Sequence, residues 1–453
     1  MHIHILGICG TFMAGIAALA KAHGHKVTGC DQNVYPPMST QLEQLGITIT
    51  EGYDSNQIEI KPDIFIIGNV ISRGNSLIES ILNNKVLYQS GPQWLYENIL
   101  YNKWVLAVAG THGKTTTTSM LAWILEANGL APGFLIGGIP NNFNISARLP
   151  INSNKNSPTF FVIEADEYDT AFFDKRSKFI HYHPNTLILN NLEFDHADIF
   201  DNIEHIEKHF HHLIRTVPSI GKIIFNNDSS SIKKVLKKGC WSEIEDFGSK
   251  GKWSYKKVNE NEFEVYYEQR SQGNLKWDLI GHHNALNALA AIAAAKHVGI
   301  SSDSSISALG KFKNVKKRME LLESIKGINI YDDFAHHPTA IKTTLEGLRS
   351  KIGNDRIVAI IDPRSNTMKL GKMKDDLLKS LIDADIIFCF SKNLSWDPKM
   401  LFKNIPGVTI TNDIDVLANK ISESCQPKDN IIFMSNGGFS GLQNKVVQLL
   451  KNE

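Results

Sequence analysis

The 453-residue chain is long enough for about three domains at roughly 150 residues each. Hydrophobic residues make up 42% and charged residues 21%, which excludes extended disorder and fibrous repeats. Lys plus Arg, 48, balance Asp plus Glu, 47, so no global basic field marks a nucleic acid or an anionic membrane as partner. Five cysteines between Cys9 and Cys425, with no CxxC pair, make neither a disulfide framework nor a zinc knuckle. A reducing, cytoplasmic setting fits them. Ile5–Ala20 is nearly uncharged, but Met1–His4 lacks the Lys or Arg of a secretory n-region and glycines interrupt the run, so no signal peptide is expected. No segment reaches the ~18 apolar residues of a membrane span.

The chain opens with a strand at Ile3–Leu6, a glycine loop and a helix near Met13–His23. Strands at Lys26–Cys30, ending on Asp31, and at Ile64–Ile67 follow. After Asn102–Lys103 a second unit begins with a strand at Trp104–Ala109, the loop Gly110–Lys114 and a helix over Thr115–Asn128, with Gly129 as its C-cap. Pro150–Pro158 reads as a loop, and Phe160–Ile163 and Thr186–Leu189 as strands. Asn226–Lys276, with alternation at Glu262–Tyr267, reads as a peripheral antiparallel addition. A helix covers Asn284–Val298. The third unit starts near Glu320, with strands at Ile328–Tyr331, Arg356–Ile361, Ile386–Phe390 and Asn430–Met434 and a helix opening at Pro338. Strands alternating with helices predict an α/β fold of mostly parallel sheets.

Gly110-Thr111-His112-Gly113-Lys114-Thr115 lies where a phosphate loop must lie, between a buried strand and a helix N-terminus. Lys114 would reach the β- and γ-phosphates and the Thr115 hydroxyl would ligate Mg²⁺. Val108 stands where the full motif has glycine, so this is a shortened variant. Glu164 follows the apolar strand, a position from which a carboxylate enters the ligand crevice and could share Mg²⁺ with Thr115. His196, in the run Asn190–Asp198 after the next strand, is a second metal ligand or a phosphate contact. His205 and His209 are spaced i,i+4, but Glu207 is one place late for H-E-x-x-H, so a polar helix face is the better reading. Gly7, Gly10 and Thr11 could hold a diphosphate at the first helix, and Asp31 sits where a ribose-binding acid belongs. Cys9 and Phe12 break the dinucleotide pattern. Asn284 and Asn287, at i,i+3, suit an adenine edge. Arg318 is a candidate phosphate clamp. Arg364-Ser365-Asn366 follows a strand, and Arg364 could grip a substrate carboxylate bidentately.

GTHGKT, EADEYD, the N-x-E-x-D-H run ending at His196, GHHNALNA and DDFAHHP occur in the order found in the Mur ligase family, the ATP-dependent amide-forming ligases of peptidoglycan synthesis. The sequence resembles that family over essentially its whole length. DDFAHHP is similar to the branch acting on UDP-N-acetylmuramate. GICGTFMAG, NVYPPMSTQLE, SGPQWL, EYDTAFFDKRSKF, PRSNTMKLG and MSNGGFSG resemble its peptide-adding, recycling members rather than the alanine-adding ligase.

The resemblance implies three domains: a Rossmann-like UDP-sugar domain at 1–103, a central P-loop ATPase domain with a parallel sheet at 104–319, and a Rossmann-like amine-substrate domain at 320–453. It implies ATP and Mg²⁺ as cofactors and UDP-N-acetylmuramate and a murein tripeptide as substrates, joined through an acyl phosphate. Lys114, Glu164 and His196 would be catalytic, with Thr115, Glu164 and His196 on the metals. Gly110 to Thr116, Asn284, Asn287, Arg318 and Asp332 would bind ATP. Gly7, Gly10, Thr11 and Asp31 would face the UDP group, and Arg364, Ser365 and Asn366 the peptide. Several related ligases hold a second metal with a carbamylated lysine. Here Phe210, not Lys208, takes that position by spacing, and no carbamate is assigned. The alternatives are a UDP-N-acetylmuramate–L-alanine ligase and, from another class, an NAD-dependent oxidoreductase.

Overall fold

The computed structural model describes residues 1–34, 38–151, 158–197, 199–392 and 394–452. Most of the loop expected at 150–158, part of the NVYPP segment and Asp198 lie outside the described residues.

Three sheets follow one another along the chain. The first is five-stranded and parallel, in the order Thr48–Glu51, Lys26–Asp31, His2–Leu6, Ile64–Ile67, Tyr88–Ser90. Ile3, Ile5, Ile64 and Ile66 point into one core, shared with Ala14, Ala17 and Ala20 of the helix Thr11–Ala22. The small alanines let that helix lie close to the sheet.

The central sheet has ten strands. Trp104–Ala109 is apolar on both faces because strands flank it and helices cover it, the burial expected of a parallel interior strand. Register then positions the site. Val108 pairs with Glu164 of Phe160–Ala165, and Ala109 pairs with Leu189 of Thr186–Leu189. The phosphate loop, Glu164 and Asn190 therefore leave one sheet edge at the same level, the carboxyl end where open α/β sheets bind ligands. Two helices cover one face. His282–His297 is rich in alanine and buried almost throughout, and it packs on Lys114–Ala127.

The stretch 226–276 is more integrated than a peripheral addition. It contains a helix, Ser230–Lys237, and a parallel strand, Glu243–Phe247. The antiparallel strands Trp253–Asn259, Glu262–Tyr267 and Arg270–Lys276 then extend the same central sheet. Local alternation identified the strands but could not reveal their shared sheet.

The third sheet has six strands, parallel except for its edge strand Glu320–Ile325. Asp333 and Ile361 both pair with Met434 of the strand between them. The segments after these three strands consequently emerge side by side. Strand ends run slightly past the expected ones at Asp31, Ala165 and Asp333. The central helix starts at Lys114, and Asn128 caps it with Gly129 just beyond in the left-handed region. All five cysteines are free. No helix among the described residues is long and apolar enough to cross a membrane.

Phe210 is 1% exposed on the helix Ile203–Ile214, with its ring 5.3 Å from that of Phe179. Phe210→Ala should cost about 3–5 kcal/mol, read as an earlier urea midpoint by tryptophan fluorescence; an unchanged midpoint would remove this packing role.

Candidate active site

Gly113 is the N-cap of the helix Lys114–Ala127, with φ +78°. A β-carbon there would lie 2.6 Å from Asn287 Oδ1 and 3.1 Å from Asn190 Nδ2, so only glycine fits beneath these two amides. Asn191 clamps the loop by accepting from His112 N at 2.7 Å and donating to His112 O at 3.0 Å. The loop's shape is thus fixed by Asn190 and Asn191 from the neighbouring strand end and by Asn287 from the helix His282–His297.

Lys114 is 9% exposed, and its ammonium donates to Gly110 O at 2.6 Å and Glu167 Oε2 at 3.0 Å, with Asp166 3.8 Å away. Burial opposes its charge, but Glu167, Asp166 and Glu164 outweigh that and raise its pKa. Glu167 also meets His196 Nε2 at 3.3 Å. Burial would push the Glu167 carboxyl up, yet Lys114 and His196 hold it at about 2. His196 is raised in turn, because Glu167 and Asp195 overcome its desolvation. Its backbone is left-handed at φ +55°, and its N–H donates to the Asp195 carboxylate at 2.7 Å.

Glu164 accepts from the Thr115 hydroxyl at 2.8 Å and from Gly137 N at 2.6 Å. Burial, then Asp166, raises its pKa. A hydroxyl and a carboxylate whose charge is incompletely compensated suit a hard divalent cation such as Mg²⁺. Arg318 donates to the Thr115 hydroxyl at 3.2 Å and lies 4.7 Å from the Phe334 ring centre. The structure thus brings together Lys114, Thr115, Glu164, His196 and Arg318. Thr116 is buried in the same first turn. Thr111 donates to Glu193 O at 3.3 Å.

Other expected residues are placed differently. Asn287 accepts from Asn190 at 3.2 Å and roofs the phosphate loop, while Asn284 donates to Ile280 O at 2.8 Å, beside its own helix start. Asp332 is held inside the third domain by Gln443 at 3.3 Å, with burial lifting its pKa to about 6. Its neighbour Asp333 is nearer the site, accepting from Met319 N and Ala335 N, both at 2.7 Å, and interacting with Arg318. In the first domain, Gly7, Gly10 and Thr11 form the turn into the first helix. Asp31 braces that turn: it accepts from Cys9 N at 2.9 Å and Asn33 N at 3.1 Å. Lys208 is exposed, while Phe210 is in the core. His205 and His209 meet edge to face, with ring centres 5.1 Å apart.

Arg364, Ser365 and Asn366 line a cavity of about 280 Å³ together with Tyr168, His196 and His336. Ser365 caps the short helix Asn366–Lys369. Arg364 is half-exposed and lines this cavity, with its Nε 4.0 Å from the Asp362 carboxylate of its own domain. Next to it, Thr367 donates to Asp195 at 3.0 Å and accepts from Ala197 N at 3.1 Å. A second bridge joins Thr339 to Glu193 at 2.6 Å. Among the described residues, only His112, Glu193 and His337 converge as three possible metal ligands, within 4.8 Å. His337 already uses both ring nitrogens, towards Thr339 N and Phe194 O, which makes this group a polar interdomain contact.

Residue pattern alone missed Glu167, Asp333, Glu193, Thr339 and Thr367. Glu167 was visible three places after Glu164 in the acidic run, but only the fold shows which carboxylate turns towards Lys114. Glu193 is held at about 2: burial works against its charge, and His112, Thr339 and His337 overcome it. Its folded pKa is below the ordinary 4.5, so the unfolded chain takes up the proton first. Its stabilising effect is present above that ordinary value and lost as pH falls towards about 2. Acid titration of thermal stability should therefore be shallower for Glu193→Gln than for wild type over this window; parallel curves would refute the role.

Three family profiles match the chain: Mur ligase family, catalytic domain, over residues 2–102; Mur ligase middle domain over 108–295; and Mur ligase, glutamate ligase domain, over 317–437. A protein of Escherichia coli strain K12 named UDP-N-acetylmuramate–L-alanyl-γ-D-glutamyl-meso-2,6-diaminoheptandioate ligase is 52% identical over 99% of this chain and 98% of its own. A Haemophilus influenzae protein of the same name is 50% identical over 99% of both chains. The crystal structure of a murein peptide ligase from Psychrobacter arcticus shares the fold with a TM-score of 0.78 and 44% identity, covering 100% of this chain and 99% of that one. With the phosphate loop, the Glu164 carboxylate and His196 gathered at one sheet edge, and with this likeness running from end to end, the chain belongs to the Mur ligase family.

Proposed function

We propose that this protein joins L-alanyl-γ-D-glutamyl-meso-diaminopimelate to UDP-N-acetylmuramate, with ATP converted to ADP and phosphate, in peptidoglycan recycling. The observation that carries this reading is identity at half of all positions, along the full length, to ligases named for that reaction. On this reading the domains span 1–103, 104–319 and 320–453, and the enzyme works in the cytoplasm, where its nucleotides are.

The residue chemistry follows. Backbone N–H groups of Gly110 to Lys114 and the helix N-terminus cradle the ATP phosphates. Lys114, kept charged by its carboxylates, neutralises the γ-phosphoryl group in flight. Thr115, Glu164 and His196 would hold Mg²⁺, which would supply further charge neutralisation in phosphoryl transfer. Arg318 reaches the phosphates from the segment that crosses into the third domain, and Asn287 borders the nucleotide. The sugar's lactoyl carboxylate accepts the phosphoryl group to give an acyl phosphate. The tripeptide's amine attacks that carbonyl, and phosphate leaves. Gly7, Gly10 and Thr11 anchor the UDP group, with Asp31 holding their turn in shape. Arg364, Ser365 and Asn366 receive the peptide, with Arg364 as the bidentate partner of a carboxylate that free L-alanine cannot place there.

Three outcomes are expected. ADP release should need both UDP-N-acetylmuramate and the tripeptide, and a preference for L-alanine over the tripeptide would overturn the reading. Lys114→Ala and Glu164→Ala should each lower kcat by about 10²–10³-fold or more; Glu164→Ala should melt close to wild type, whereas Lys114→Ala should melt lower, because it strips the buried Glu167 carboxylate of one of its two basic partners. Activity near wild type at saturating Mg²⁺ would remove either assignment. Arg364→Ala should raise KM for the tripeptide by about tenfold or more and leave KM for ATP unchanged; equal changes in both would exclude a peptide contact.

A further inference from the structure

Lys178 is a buried cation to which the chemistry above gives no task. It is 5% exposed, in the short helical turn Lys178–His181 that follows the hairpin of Asp169–Ala171 and Asp174–Ser177. Lysine is almost never buried unless paired. Among the described residues, the Lys178 ammonium has neither a hydrogen-bond acceptor nor an ion-pair partner. Asp166 and Glu167 act on it only at longer range, and burial lowers its pKa. It lies between two aromatic rings instead, 4.7 Å from the centre of Phe12 and 5.7 Å from that of Tyr168.

Those rings define its place. Phe12 belongs to the first domain, in the opening turn of the helix that follows Gly7 and Gly10. Tyr168 belongs to the central domain; its ring is 4.3 Å from that of His196, and it lines the cavity that reaches Arg364. Lys178 thus sits at the passage from the first domain's glycine turn to the phosphate loop. One turn further on, Tyr182 is completely buried, its hydroxyl without a hydrogen-bond partner among the described residues, and Asp166 and Glu164 act on it electrostatically. Lys114, paired with Glu167 at 3.0 Å, is engaged at the phosphate loop, whereas Lys178 has no carboxylate partner among the described residues.

We propose that Lys178 binds an anionic group of the sugar nucleotide, its carboxylate or its diphosphate, as that substrate spans from the first domain to the phosphate loop. This rests on the sugar-nucleotide reading above. Phosphoryl transfer to a carboxylate brings two anions together, and a fixed, dry cation on the approach side offsets their repulsion. An ammonium point charge suits either group. Because Phe12 covers it, the subsite is complete only when the first and central domains are in contact.

The test is calorimetric titration of wild type, Lys178→Met and Lys178→Gln with UDP-N-acetylmuramate, UDP-N-acetylglucosamine and ADP, alongside melting curves. UDP-N-acetylglucosamine keeps the diphosphate but lacks the carboxylate. Both variants should bind UDP-N-acetylmuramate about tenfold or more weakly and ADP as wild type does. Lys178→Met should melt no lower than wild type, because an unpaired buried charge is lost. A loss confined to UDP-N-acetylmuramate assigns the carboxylate; a loss shared with UDP-N-acetylglucosamine assigns the diphosphate. Unchanged sugar-nucleotide affinity in a variant that still binds ADP overturns the inference alone and leaves Lys178 as a packing residue. Wild type that binds neither sugar nucleotide overturns both the inference and the function beneath it.

Discussion

Glu167 is a buried carboxylate placed between two basic groups, Lys114 at 3.0 Å and His196 at 3.3 Å. Burial lowers the pKa of both bases, and Glu167 leads the carboxylates that raise them again, with Asp166 and Glu164 acting on Lys114 and Asp195 on His196. A buried pair of this kind adds little net stability, but removing one partner leaves an uncompensated charge and is strongly destabilising. Its value lies in position. It fixes the lysine of the phosphate loop and the histidine of the next strand end against one point, and the ligand-binding groups on either side take their geometry from that point.

The register of the central sheet makes this convergence possible. Three strands end level, so Thr115 meets Glu164, 49 positions away, and Lys114 meets Glu167, 53 positions away. Asn190 and Asn287 then close over Gly113, and the tightness of that roof explains why the loop carries glycine there. The third domain completes the arrangement through small polar contacts, Thr339 with Glu193 and Thr367 with Asp195. Such contacts are specific in direction yet small in area, as suits an interface that exchanges substrates.

Much of this was legible in the residues. Apolar runs such as Trp104–Ala109 and Ile386–Phe390 are unambiguous because both faces of a parallel strand are buried. Lys114, Thr115 and Glu164 were legible because each follows such a strand at a spacing that phosphate chemistry demands. The pairing of Asp332 with Gln443 was not, since alternation along a strand makes adjacent aspartates face opposite ways and the pattern DD does not say which faces the site. Nor was the place of 253–276 in the central sheet, because hydrogen bonding between strands depends on distant parts of the chain. Glu193 is an ordinary loop residue, and Thr339 and Thr367 are ordinary first-turn helix residues, until the domains meet.

The crossing into the third domain carries Asn314, Lys317 and Met319, all with left-handed backbones at φ +64°, +57° and +47°. Arg318 lies between the last two and reaches back to Thr115 at 3.2 Å. Non-glycine residues hold such angles at a cost of about 1–3 kcal/mol each, and only while their surroundings insist on it. The Arg318 contact with Thr115 is therefore built on a joint that its surroundings must hold in shape, so the residues that tie the third domain to the central one also set where that guanidinium lies.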